Sequence, residues 1–138
     1  MSDPIMLSRV ADSLYWMSRY LQRAENTARL LDVYIHTIPD VPEIFEQARL
    51  RRLQDSLSLT PADGAIEGDR LLQQLTFDAQ FPVSINYSVT VARENARQVR
   101  EQISSEMWTQ LNKLYLDVRY AKVDGVWDSP HDFYMKVK

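Results

Sequence analysis

From Ser8 to His36 the chain has neither glycine nor proline, and Val10, Leu14, Met17, Leu21, Ala24, Ala28, Leu31 and Ile35 recur in steps of four and three. That period lines them along one face of a single long helix with a heptad seam. A second set, Trp16, Tyr20, Arg23, Thr27, Leu30 and Tyr34, repeats the same steps about 110° further round the helix. A helix with two apolar faces has to be packed on two sides, so the segment reads as the centre of a bundle. Only the sector of Arg19, Gln22, Asn26 and Arg29 is left for solvent or for a polar site.

The rest of the chain reads as further helices. Gly64, Gly68 and Gly125 lie between periodic segments, and no stretch alternates apolar with polar residues as a strand would. Pro39 and Pro42 close the first helix, and Asp40 with Glu43 has the spacing of a capping box for a second helix reaching about Leu57. Its tail, with Arg49, Arg51 and Arg52 facing Glu46 and Asp55, reads as solvated. Thr60 to Gly68 is a surface loop, Asp69 is placed to cap a short helix through Leu75, and Phe77 to Pro82 connects onward. A fourth helix runs from Val83 or Ser84 to Ile103 on Ile85, Val89, Ala92, Ala96, Val99 and Ile103. Ser104 then caps a fifth, with Ile103 and Trp108 placed as a hydrophobic staple. That helix turns Met107, Trp108, Leu111, Leu114, Tyr115 and Val118 inward and ends before Gly125. Ser129, Pro130 and Asp132 have the order of cap, first and third residues of a sixth helix, cut short at Lys138 as if the fold continued. The expectation is one all-α domain over residues 1–138, about five helices plus the start of a sixth around the long N-terminal helix.

Composition narrows the function more than it names it. The 138 residues suffice for one hydrophobic core, and 45% hydrophobic with 25% charged residues excludes a disordered chain. Sixteen Lys and Arg against nineteen Asp and Glu give a net charge of -3, too balanced for a protein that neutralises many phosphates, so no nucleic-acid partner is expected. The absence of cysteine removes disulfides, thiolate catalysis and cysteine-ligated zinc. No apolar run approaches a membrane span and Met1 to Met6 show no signal-peptide pattern. The expected location is the cytoplasm, without a membrane partner.

Enzyme signatures are missing: there is no glycine-rich phosphate loop, no Gly-x-Ser-x-Gly elbow and no His-Glu-x-x-His helix. His36, four residues after Asp32, makes half of a metal site, and cation capture by the helix C-terminus explains it as well. His131 and its neighbour Asp132 point apart along a helix. The sequence therefore implies no metal and no cofactor. Arg23 interrupts the aromatic stripe, where a guanidinium is partly desolvated and calls for a carboxylate, an anionic ligand or an aromatic face. Glu25 and Arg29 form an i, i+4 pair. Arg93, Arg97 and Arg100, flanked by Glu94 and Glu101, form a row that pairs with acidic residues of the first helix or with water, or attracts an acidic group at a cleft. Asn26 and Asn95, each following a glutamate, hint at a polar layer where the two long helices cross.

The segment Met6 to Asp32, MLSRVADSLYWMSRYLQRAENTARLLD, resembles the start of the bacterial alpha-E family, helical proteins of poorly defined function named for a Glu-Arg motif. Ala92 to Tyr115, ARENARQVREQISSEMWTQLNKLY, is similar to the same family, and Ser129 to Lys138 resembles the start of its next helix. The resemblance covers the whole chain and about the first half of the usual family length. Where the family has glutamate before Arg23, this chain has Gln22, which hydrogen-bonds but cannot act as an acid, a base or a charge partner. A second copy of the motif, in the family's later half, has no counterpart here.

The resemblance implies genomic company with ATP-grasp ligases and transglutaminase-like peptidases, hence a peptide- or amide-forming pathway. The leading expectation is a non-catalytic partner of an ATP-grasp-type ligase that holds a peptide or carboxylate substrate, with Arg23, Arg19 and Asn26 as its centre. Glu25, Arg93, Glu94 and Arg97 complete the candidate ligand-binding set. One alternative is an enzyme acting on peptides or amides, with Glu25 or Glu94 as acid/base group and its site completed by a missing half or partner chain. Another is a truncated helical oligomerisation module. The two-sided first helix also predicts a homo-oligomer, most simply a two-fold dimer.

Overall fold

The computed structural model describes residues 4–37, 45–59, 66–121, 125–126 and 130–137, among which there are six α-helices and no strand. α1 spans Pro4–Thr37, α2 Glu46–Ser56, α3 Gly68–Phe77, α4 Ile85–Gln98, α5 Ser105–Arg119 and α6 Pro130–Val137, with a 3-10 turn at Arg100–Gln102. Pro4 opens α1, where its missing N–H costs no helical hydrogen bond. Pro39, Pro42, the Asp40–Glu43 capping box and Ser129 fall outside the described residues.

α1 is the centre of the bundle. It packs most extensively on α4 and also on α3 and α6, while α5 packs on α4. The seam between α1 and α4 is lined by Ala24, Ala28, Ala92 and Ala96, all buried, and such small side chains let two helix backbones approach closely. Beyond the seam the core divides into two clusters. Toward the N-terminal end of α1, Met17, Ala92, Ala96 and Leu111 are joined by Leu14, Leu21, Ile103 and Trp108. Toward its C-terminal end, Leu31 and Tyr34 pack with Leu50, Leu53, Leu71, Leu75, Ile85, Phe133 and Tyr134.

The second stripe of α1, interrupted by Arg23, is covered only in part. Thr27 and Tyr34 are buried, whereas Trp16 is 41% exposed and Arg23 is exposed rather than desolvated. The cause is the placement of α2, α3 and α6, whose buried residues cluster with Leu31 and Tyr34 rather than with Trp16. α2 is anchored there through Arg49. Its guanidinium lies 4.5 Å from the Tyr34 ring centroid and donates to the Tyr34 carbonyl at 2.9 Å, while the Tyr34 hydroxyl donates to the Glu46 carboxylate. Arg49 is thus structural and not part of a solvated tail. Burial, reinforced by the Glu46 charge, pushes the Tyr34 phenol up from its ordinary pKa.

Helix ends explain most of the remaining boundaries. α2 stops in a Schellman motif: Ser58 donates to Asp55 at 3.1 Å, Leu59 donates to Gln54 at 2.9 Å, and Ser58 takes the left-handed conformation at φ 56. Asp69 lies in the first turn of α3 and is not its cap; that position is held by Glu67, whose side chain makes no capping bond. Ser84 caps α4, accepting from the Tyr87 N–H at 3.0 Å, and Ser104 caps α5 through Met107 at the same distance. α4 ends five residues short of Ile103, although no glycine or proline breaks it. A tight turn in which Gln102 donates to Val99 leads to an extended Ile103, which drops into the N-terminal cluster beside Trp108. Met107 is 46% exposed and not inward; α5 buries Leu111 and Val118 instead.

Two stability effects follow from this packing. Leu31→Ala, at a fully buried site, lowers stability by about 2 to 5 kcal/mol, and Leu21→Ala, at a half-buried one, by less. A urea midpoint equally insensitive to both would contradict a core built on α1. Ser58→Gly relieves the left-handed backbone, offset by the greater freedom of glycine in the unfolded chain, and raises stability by up to about 1 kcal/mol. Ser58→Ala, which keeps the strain, serves as its control in the same titration.

Candidate functional site

The polar sector of α1 forms one wall of a cleft. Arg19, Arg23 and Asn26 stand in steps of four and three, facing Ser56, Leu57 and Ser58 at the end of α2 and Pro82 and Val83 before α4, around about 470 Å³. The opposite wall is fixed from below. Thr27, buried beneath the arginines, donates from Oγ1 to the Val83 carbonyl at 3.3 Å. Ser84 donates to the Asp78 carbonyl at 2.5 Å, and Asn86 donates to the Phe77 carbonyl at 2.8 Å, so the connector from α3 to α4 is pinned at both ends.

The electrostatics of this cleft are one-sided. Its described lining holds two arginines and no carboxylate. Arg23 lies over the Tyr20 ring at 5.2 Å from its centroid, the aromatic face among its expected partners, and neither Arg19 nor Arg23 forms an ion pair among the described residues. A guanidinium held over a ring still has its N–H donors available to a carboxylate or phosphate.

The other candidate residues lie elsewhere. Glu25 is paired with Arg29 at 2.6 Å on the exposed side of α1. Glu94 and Arg97 form a two-point pair at 2.6 and 3.2 Å on the surface of α4, and the guanidinium hydrogen bond holds the Glu94 carboxyl below its ordinary pKa. That direction moves it away from acid/base work near neutrality. Arg93 donates to Asn112 Oδ1 at 2.9 Å and stacks on Tyr115 at 4.5 Å and Trp108 at 5.5 Å, so it ties α4 to α5. Arg100 also lies over Trp108. None of the three pairs with an acidic group of α1. Asn26 and Asn95 do not form the polar layer their positions suggested: Asn26 is exposed in the cleft, and Asn95 donates back to the Val91 carbonyl.

A second polar cluster was only half visible in the sequence. Asp32, buried at 4% exposure, faces His36 Nδ1 at 3.3 Å, as its spacing suggested. The fold adds His131 from the start of α6, 99 positions away, with Nδ1 3.0 Å from both carboxylate oxygens. The two imidazoles meet edge to face with centroids 5.0 Å apart. Beside them Tyr134, fully buried, bonds to Thr76 Oγ1 at 3.0 Å, and burial, with the Asp32 charge adding to it, pushes its phenol up to about 12. Spacing within one helix could flag Asp32 with His36, but nothing local marks His131 as their neighbour.

Comparison with known proteins agrees with this architecture. Two uncharacterized proteins, one of Mycobacterium bovis and one of Mycobacterium tuberculosis, are each 32% identical over 120 residues. Each match covers 75% of this chain but 14% of the relative, so the chain spans a small part of the length of these curated relatives. No solved structure matches the chain. No described helix is long and apolar enough to cross a membrane. Residues 6–138 match a family described as a predicted alpha-helical domain with a conserved ER motif; although Gln22 precedes Arg23 here and the sequence contains no Glu-Arg step, the helical architecture and the near-complete match place this chain in the Alpha-E family.

Proposed function

We propose that this Alpha-E domain is a non-catalytic binding component of an ATP-grasp-linked peptide- or amide-forming system, and that its Arg19–Arg23–Asn26 cleft receives the carboxylate of a substrate or of the partner ligase. The observation that carries the reading is the pair of arginines without carboxylate partners among the described residues, held over a pinned wall. The role does not require a glutamate before Arg23, so Gln22 is compatible with it. The enzyme alternative is less well supported, because Glu25 and Glu94 each already bind an arginine on the surface.

The test is a purified ATP-grasp ligase assayed with and without this chain. A binding component changes ligase turnover or affinity only when ATP is present, and it converts no peptide or amide by itself. Arg23→Ala weakens the effect about fivefold, the equivalent of about 1 kcal/mol for an exposed charged contact, and Arg19→Ala acts similarly, both with unchanged helicity. Conversion of substrate by the chain alone would favour an enzyme instead.

A second reading concerns self-association. Ile5, Met6 and Leu7 are each more than half exposed on α1, and Tyr15 and Trp16 are exposed further along it. Apolar groups at this density mark association surfaces, and we infer a symmetric dimer through this segment. Sedimentation at micromolar concentration should give a dimer that Trp16→Glu shifts toward monomer; a monomer at all concentrations argues against it.

A further inference from the structure

We propose that Asp32, His36 and His131 form a site for a divalent transition metal of the zinc class, bridging α1 and α6. The sequence has only two histidines, and the fold brings both to the same buried carboxylate from opposite ends of the chain. One ligand atom from each of the three residues lies within 4.8 Å of the others. In a tetrahedral site with bonds of about 2.1 Å, ligand atoms stand about 3.4 Å apart. The carboxylate-to-imidazole distances of 3.3 and 3.0 Å are near that value, and the two imidazole nitrogens, within 4.8 Å of each other, are brought to it by rotation of the exposed histidine side chains.

The chemistry of the set selects the ion. Two imidazoles with one carboxylate suit zinc, cobalt or nickel, whereas magnesium and calcium take oxygen ligands. Asp32 contributes a carboxylate at 4% exposure, placed between the two imidazoles. The histidine side chains are 58% and 52% exposed, which leaves a route in and a fourth position for water or a ligand oxygen. His36 Nδ1 also lies 2.8 Å from the Asp32 backbone carbonyl; as the ligating atom it must be unprotonated, so that contact is given up when the ion binds and Nε2 carries the proton. A bound ion would clamp α6 to α1, because both helices contribute ligands.

The probe is Zn²⁺, titrated into the chelator-treated full chain and followed by calorimetry, thermal unfolding and histidine proton NMR. The expected result is one equivalent bound, signals of both imidazoles moving together, and a melting temperature that climbs with free Zn²⁺ as mass action requires. Co²⁺ should give the visible absorption of a low-symmetry site, and Mg²⁺ should have no effect at the same concentration. His131→Gln and His36→Gln should each weaken Zn²⁺ binding by about tenfold or more. No saturable uptake, an equal response to Mg²⁺, or full affinity in folded His131→Gln would overturn the site. If a variant does not fold, the wild-type spectra decide: a single histidine responding alone overturns it too.

Discussion

The close contact between α1 and α4 is the constraint on which the remaining packing rests. Ala24 and Ala28 pack in the C-terminal cluster with Ile85 and Val89 of α4, Ala92 and Ala96 pack in the N-terminal cluster with Met17 of α1, and all four are buried. A larger side chain at any of them would push the helices apart at its own level and strain the cluster it belongs to. Because α1 is 34 residues long, one short partner cannot cover it. The N-terminal half is closed by the end of α4, the start of α5 and the extended Ile103, and the C-terminal half by α2, α3, α6, the start of α4 and the end of α5. The uncovered remainder is the side that bears Trp16 at one level and the arginine cleft at another.

The arginines divide by what their planes rest on. Arg49 and Arg93 are each stacked on a tyrosine and also hydrogen-bonded, to Tyr34 and Asn112 respectively, so their charge is used in joining one helix to the next. Arg97 is occupied by Glu94. Arg19 and Arg23 differ because their wall of the cleft faces a helix end and a proline-containing turn, neither of which brings a carboxylate among the described residues. The contact with Tyr20 limits the motion of Arg23, which lowers the entropy lost when an anion binds.

The sequence made the local features of the fold readable and left the long-range ones hidden. Helical period exposed α1 and its seam and brought the start of α4 to Val83 or Ser84, and short-range capping chemistry located the start of α5 at Ser104. The early end of α4 was not readable, because residues 98 to 103 contain no helix breaker; packing of Ile103 overrides propensity there. The second stripe showed which residues can be buried, but not how far along α1 the covering helices reach. Of the candidate site, Arg19, Arg23 and Asn26 share a face by period alone, whereas Arg93, Glu94 and Arg97 shared only chemistry with them. His131 was the least readable, since its meeting with Asp32 depends on where α6 docks.

That docking also determines how the two polar sites on α1 relate. Arg23 and Asp32 are nine positions apart, which at 100° per residue places them about 180° apart around the helix. The cleft and the histidine cluster therefore occupy opposite faces and cannot share a ligand. An eight-residue helix such as α6 is unstable alone, so its place is set by burial of Phe133, Tyr134 and Val137 and by the His131–Asp32 contact. The same C-terminal half of α1 joins Leu31 and Tyr34 to α2 and α3. Any influence of the cluster on the cleft must pass through that packing, by changing how firmly α2 and its Ser58 turn are held against α1, and not through direct electrostatic contact.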